Sequence, residues 1–308
     1  MNRFENIWSN IYFNIVKNNN KLYQLILINI VVFVLFGFIE VFFNLFKIPD
    51  EIYTKFERYF SLSAHPSEII RKPWTIVSYM FMHGGFLHII INMLLFYWFG
   101  KIFQEYLRDR KLVATYLMGG ISGGLIYILA YQTFPALTNM HSYMVGASAG
   151  VIAIIVATAT LLPNNSMNLM FLGPVKLKYI AIVFVLLDVI SLRDMENIGG
   201  HFAHLGGAFY GYIYIKLLQG GTDIGGWLSG ILDMFRAAFK PKPKFKVHKG
   251  GQYHKNPNAK QASSKEKSAP KTDFNQLEID SILDKIAKSG YDSLSEREKD
   301  VLFNASKK

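Results

Sequence analysis

The 308-residue sequence contains no cysteine. This excludes a disulfide framework, a thiolate metal site and a cysteine nucleophile, so covalent chemistry has to come from serine, threonine, lysine or a carboxylate. Charge is also scarce: 18% of residues are Asp, Glu, Lys or Arg, against 51% hydrophobic and 15% aromatic. That balance excludes disorder, collagen and coiled coil as descriptions of the whole chain. Acids are outnumbered 22 to 33, for a formal net charge of +11. On one continuous surface this excess would indicate nucleic acid or an anionic surface as partner. Basic and apolar residues occupy different parts of the chain, however, and no nucleic-acid partner is expected.

Runs of about 20 mostly apolar residues, enough to cross a bilayer, recur before residue 220. The first is Leu22–Leu45, too long and too far from the start for a cleaved signal peptide. Ser78–Phe99, Leu112–Tyr131, Tyr143–Leu162, Leu177–Leu192 and Gly199–Leu218 follow. The sequence therefore predicts an all-α polytopic membrane protein with six spans. Lysine and arginine favour the cytoplasmic side. Lys101, Arg108, Arg110 and Lys111 follow span two and Lys176 and Lys178 follow span four, whereas Gln132–Ser142 has neither residue type. The loop Lys47–Lys72 is an exception, with five Lys or Arg residues accompanied by four acids, but the remaining loops agree and both termini are expected in the cytoplasm.

Residues 1–21 read as a cytoplasmic interfacial segment with Trp8, Tyr12 and Phe13 as anchors, and residues 22–220 as the membrane domain. Residues 221–271 read as a flexible basic linker; Lys240–Lys271 alone holds ten lysines, four prolines and a single acid, Glu266. Such a linker suits an anionic lipid or a protein partner, or serves as a plain tether. Residues 272–308 read as a small cytoplasmic helical pair. Ile279, Ile282, Leu283 and Ile286 have helical spacing, Gly290 is a C-cap, and Ser295 with Glu298 is a capping box.

Polar side chains inside spans are expensive and mark candidate sites. Spans two, four and six start on the same outer side, which brings His83, His88, Asn92, Ser148, His201 and His204 to comparable depths. Ser148 lies in the string Gly146-Ala147-Ser148-Ala149-Gly150. Alone, that string is as well explained by close helix packing. A serine hydroxyl becomes a nucleophile only beside a base. Gly199, Ala203, Gly207 and Gly211 recur every four residues, a small-residue stripe that lets span four approach and flanks His204. His201, one turn nearer the surface, is the competing base. His88 and Asn92 share a helix face and can donate hydrogen bonds to an oxyanion, with the Ser148 N–H as a third donor. Each of these residues could equally staple helices together, and His83 could anchor a loop. A His-Glu-x-x-His string is missing and Asp188 is the one carboxylate deep in a span, so zincin and paired-aspartate chemistry lack support and no metal or other cofactor is expected. Asp188 could orient His204 as the acid of a triad, but it lies on a different helix with no spacing argument in its favour and reads as a structural or gate-region residue.

These residues resemble the rhomboid intramembrane serine proteases over roughly Pro73–Tyr212: Pro73-Trp74 ahead of Phe81-Met82-His83, then His88 and Asn92, Gly146–Gly150, and Ala203-His204 with Gly207 and Gly211. The resemblance implies a six-helix core with Ser148 as nucleophile and His204 as base, a dyad without an acid. It implies an oxyanion site of His88, Asn92 and the Ser148 N–H, and a transmembrane protein substrate cut near its outer end. The loop after span one becomes a lateral loop embedded in the membrane, and span five a substrate gate. Two positions depart from the family pattern: Ile152 stands where an aromatic often stacks on the histidine, and Glu57-Arg58-Tyr59 lacks a Trp-Arg pair. The expected location is a bacterial inner or plasma membrane. The competing reading is a catalytically silent relative that binds transmembrane helices.

Overall fold

Asn20 opens the first long helix, its side-chain oxygen accepting from the Leu22 and Tyr23 amides at 3.0 and 3.4 Å. In the computed structural model, which describes residues 12–169, 172–195, 197–227, 230 and 276–305, this helix is α1, Lys21–Leu45. Only Leu22, Leu25 and Asn29 of α1 are buried, a narrow stripe at three- and four-residue spacing. Asn29 bonds the Leu25 carbonyl and the Tyr116 hydroxyl, at 2.8 and 3.3 Å, so the one amide in the stripe is satisfied.

The connection after α1 is structured. It carries α2 (Asp50–Arg58), β1 (Leu62–Ser63), α3 (Pro66–Arg71), α4 (Thr75–Ser78) and a 3₁₀ turn, Tyr79–Phe81. Helix α5 then runs Phe86–Thr133, interrupted by non-helical backbone at Arg108. The chain continues through β2 (Tyr143–Met144), α6 (Ser148–Leu161), the hairpin β3 (Ser166–Leu169) and β4 (Gly173–Lys176), α7 (Leu177–Ser191) and α8 (Ile198–Gln219).

Helix α6 is the centre of the bundle, with every residue from Ala149 to Ala159 buried. Its neighbours approach through small residues. A side chain at Gly207 or Gly211 of α8 would strike the carbonyls of Ala149 or Ala153, and one at Gly150 would lie 2.7 Å from the Tyr116 carbonyl. Gly199 faces the Tyr127 ring of α5 instead, and Ala203 touches Gly123, so the stripe on α8 serves two neighbours.

Three expectations need correction. The fold is mostly helical but not all-α. Strand β1 pairs antiparallel with β2, Leu62 opposite Met144, and β3 pairs with β4, because the backbone at these turns satisfies itself across the chain. His83 is not helical: the chain breaks at Gly84-Gly85 and α5 starts at Phe86. The predicted span from Tyr143 loses its first turn to β2, so Ser148 begins its helix instead of lying within it. By length and apolar composition, Lys21–Leu45 and Phe86–Thr133 qualify as membrane-crossing among the described residues, with Ser148–Leu161 a shorter apolar helix.

The chain divides into two units, Met1–Lys242 and Pro243–Lys308. In the second, α9 (Gln276–Ser289) ends at Gly290, whose φ of +79° suits glycine, and α10 spans Glu296–Ala305. Ser295 and Glu298 exchange reciprocal bonds, and Ile282 and Leu294 are buried. Trp8 and most of the basic linker lie outside the described residues; Tyr12 and Phe13 are exposed.

Candidate functional site

Strand β2 and the glycine that follows it aim Ser148. Arg58 stacks on the Tyr143 ring at 4.7 Å and Glu68 accepts from the Tyr143 hydroxyl at 2.9 Å, which ties the loop after α1 to β2. Gly146 adopts φ +140°, a conformation side-chain-bearing residues rarely take. A Cβ there would lie 3.1 Å from His88 Cε1 and 3.5 Å from Ser148 Oγ. Glycine therefore permits both the turn and the approach of the His88 ring to the serine. Standing first in α6, Ser148 carries a backbone N–H with no intrahelical acceptor, at the positive end of the helix dipole.

A cavity of about 300 Å³ lies beside Ser148. His88, Asn92, Ile91 and Leu95 of α5 line one side, Phe184, Leu187 and Asp188 of α7 another, and Ala203 and His204 of α8 a third. Ser148, His204, His88 and Asn92 thus share one space. Asn92 donates one amide proton to the His88 carbonyl at 2.9 Å, and its amide has a second N–H. Ile152, one turn along α6 from Ser148, also lines the cavity.

Asp188, read from the sequence as a structural or gate-region residue, joins α7 to both histidines of α8. It is 7% exposed, and its Oδ1 accepts from His204 Nδ1 at 2.7 Å and from His201 Nδ1 at 2.8 Å. Acid and histidine meet because α7 packs on α8, a contact between helices that sequence spacing does not encode. The usable signal was a carboxylate in an apolar helix, which requires a partner. A hydrogen bond at Nδ1 fixes the His204 tautomer with Nε2 free as a base. The imidazole of His204 makes no hydrogen bond to Ser148 in this state.

His83 and His201 do not line the cavity. The His83 ring packs on His88 at 5.2 Å between centroids and borders a separate pocket with Glu57 and Tyr53. Three potential ligand atoms, from Asp188, His201 and His204, lie within 4.8 Å of one another.

The molecule is thus a mostly helical bundle with a serine, histidines, an asparagine and a carboxylate gathered around an internal cavity. Residues 71–220 match the rhomboid domain, and the chain belongs to the rhomboid family of membrane proteins. Residues 271–308 match a family of unknown function (DUF6576). The chain is 27% identical over 137 residues to presenilin-associated rhomboid-like protein A, mitochondrial, of Danio rerio, covering 44% of this chain and 35% of that protein. It is 28% identical over 145 residues to RHOMBOID-like protein 12, mitochondrial, of Arabidopsis thaliana, covering 44% and 43%. To rhomboid-related protein 1 of Caenorhabditis elegans it is 30% identical over 155 residues, covering 46% and 40%. The matched region spans less than half the length of each of these relatives.

Proposed function

We propose that this protein is an intramembrane serine endopeptidase that cuts transmembrane helices of other membrane proteins near their outer end. The observation that carries the reading is the single cavity shared by Ser148, His204, His88 and Asn92. In this mechanism the Ser148 hydroxyl attacks the scissile carbonyl while His204 Nε2 takes its proton. Asp188 accepts from Nδ1 of the same ring and stabilises the imidazolium, so the dyad gains an acid. The Ser148 N–H, the free N–H of Asn92 and the His88 ring are the donors for the oxyanion. The protonated His204 then gives its proton to the leaving amine, and water releases the acyl group from Ser148. Hydrogen bonds between nucleophile and base often tighten only when substrate is bound.

The six-span topology belongs to the same proposal. Its supports are the 25-residue length of α1 and the apolar outward faces of α1 and α7. Phe38, 71% exposed, and Ile190, 63% exposed, would face water in a soluble bundle and face lipid here. The cavity is bounded by Ile91 and Leu95 on one flank and Phe184 and Leu187 on the other, an apolar mouth through which a substrate helix enters from lipid. Loop charges assign both termini to the cytoplasm of a bacterial inner or plasma membrane; two of the relatives are named as mitochondrial, and cell fractionation decides. The lysine-rich linker is assigned an anionic lipid or protein partner.

In proteoliposomes with a model transmembrane substrate, Ser148→Ala is expected to lower cleavage by at least ~10⁴-fold. Equal cleavage by the variant overturns the reading. One observation favours a silent helix binder: Ser148 and His204 are not hydrogen-bonded to each other. Labelling of Ser148 by a fluorophosphonate separates the two, since only an activated serine reacts.

A further inference from the structure

Asp188, His201 and His204 have more chemistry than orientation of a base requires. His201 does not border the cavity, yet its Nδ1 shares the same Asp188 oxygen as His204. The two histidines stand three apart on α8, which makes them neighbours on one helix face. Their rings are 6.0 Å apart and perpendicular, so both Nδ1 atoms converge on a single point instead of stacking. The carboxylate reaches that point from α7.

We propose that these three side chains bind one divalent cation of the zinc class, and that the bound ion blocks the proteolysis proposed above by taking His204. The ion-binding half stands on the cluster alone; the inhibitory half rests on the proposed function.

The donor set decides the kind of ion. Two imidazoles and one carboxylate suit zinc or its first-row neighbours, at about 2.0–2.2 Å per ligand. All three ligand atoms already lie within 4.8 Å of one another, so small side-chain rotations bring them onto one centre. Calcium and magnesium need more oxygen ligands than one carboxylate supplies. Three protein ligands leave a fourth position, and the 300 Å³ cavity beside His204 has room for water there. The carboxylate at this point is buried, and besides the two rings no other described side chain meets it by hydrogen bond or ion pair. On binding, each imidazole gives its Nδ1 lone pair to the metal and carries its one ring proton on Nε2, so the His204 nitrogen that would take the Ser148 proton is already occupied. Both rings then hold the ion, and Asp188 no longer orients His204.

The test is equilibrium dialysis of the full-length Ser148→Ala protein in detergent against Zn²⁺, compared with Ser148→Ala/His201→Gln. Because Ser148→Ala is the background, binding is read without proteolysis. Histidines elsewhere, such as His248 and His254 in the tail, contribute equally to both proteins and cancel in the difference. The expected result is one Zn²⁺ per chain bound in the first protein and at least ~10-fold weaker binding in the second, with no Ca²⁺ bound at this site. Cobalt(II) substitution needs no ligand variant: intense visible absorption marks four-coordinate geometry with nitrogen ligands, and its absence counts against the site. Equal Zn²⁺ binding by the two proteins overturns the proposal. In the active protein, Zn²⁺ is expected to stop cleavage reversibly on chelation. Binding without inhibition removes the inhibitory half alone, and cleavage by Ser148→Ala removes the proposed function while leaving the dialysis result intact.

Discussion

Asp188 changes the chemistry available to His204. An imidazole free at both nitrogens divides its population between two tautomers and several ring orientations. With Nδ1 donating to Asp188 Oδ1 at 2.7 Å, one tautomer and one orientation are selected, and Nε2 keeps the lone pair that the proposed mechanism uses. Asp188→Asn preserves size and packing but offers an amide that can present its NH₂ group to Nδ1 and select the wrong tautomer. Cleavage by this variant is expected to fall ~10²- to 10⁴-fold in kcat with little change in KM. A loss confined to KM, or equal loss of folded protein, would assign Asp188 to packing between α7 and α8 instead. His201 meets the same oxygen at 2.8 Å, so the carboxylate has a second donor, and that sharing is what the zinc proposal turns on.

Elements in this fold are legible where the bilayer length rule and loop charge act together. The apolar runs that start at Leu22, Leu177 and Gly199 each match a helix to within a residue or so at either end. The cluster Arg108–Lys111 coincides with the interruption of α5 at Arg108. What the pattern conceals is pairing between distant segments. Tyr143 and Met144 are apolar enough to continue a helix, but Leu62 and Ser63 draw them into a ladder, and Ser148 consequently sits at a helix start. The Ser148, His204, Asn92 and His88 cluster was readable from shared span direction and small-residue stripes. The contact of Asp188 with His204 has no spacing signal to favour it over other readings, because it depends on how α7 packs on α8. In the second unit the local code suffices: Ser295 and Glu298 cap α10. There the bond from Lys285, with those from Ser295, pulls the Glu298 carboxyl down to about 2. A depressed carboxylate stabilises the folded unit above its unfolded value of about 4.3 and loses that contribution as pH falls toward 2. Amide exchange across residues 278–305 of the full chain, corrected for intrinsic rates, is therefore expected to report faster opening at pH 2.5 than at pH 6. Glu298→Gln is expected to reproduce that faster opening at pH 6. Protection that is the same at both pH values would remove the cap and its ion pair from the stability of the unit.

At the scale of the whole molecule, the +11 charge and the apolar surface describe two different environments. The first 239 residues carry few of the excess lysines, whereas Lys240–Lys271 holds ten of them against one acid. Large apolar side chains lie on the outside of α1 and α7, where a soluble protein of this size would place charge. Both facts follow if the bundle sits in a bilayer and the linker lies along the anionic inner leaflet. The absence of cysteine makes that topology directly measurable, because any introduced thiol is the sole one in the chain. Asn139 and Glu105 are exposed and occupy opposite ends of the second half of α5 and its flanks. Asn139→Cys is expected to react with a membrane-impermeant maleimide added outside intact cells, and Glu105→Cys only after the membrane is opened. Reaction of both from outside would sink the six-span arrangement. The reverse pattern would invert it and turn the Ser148 cavity toward the cytoplasm, so that substrates would be cut at their inner ends.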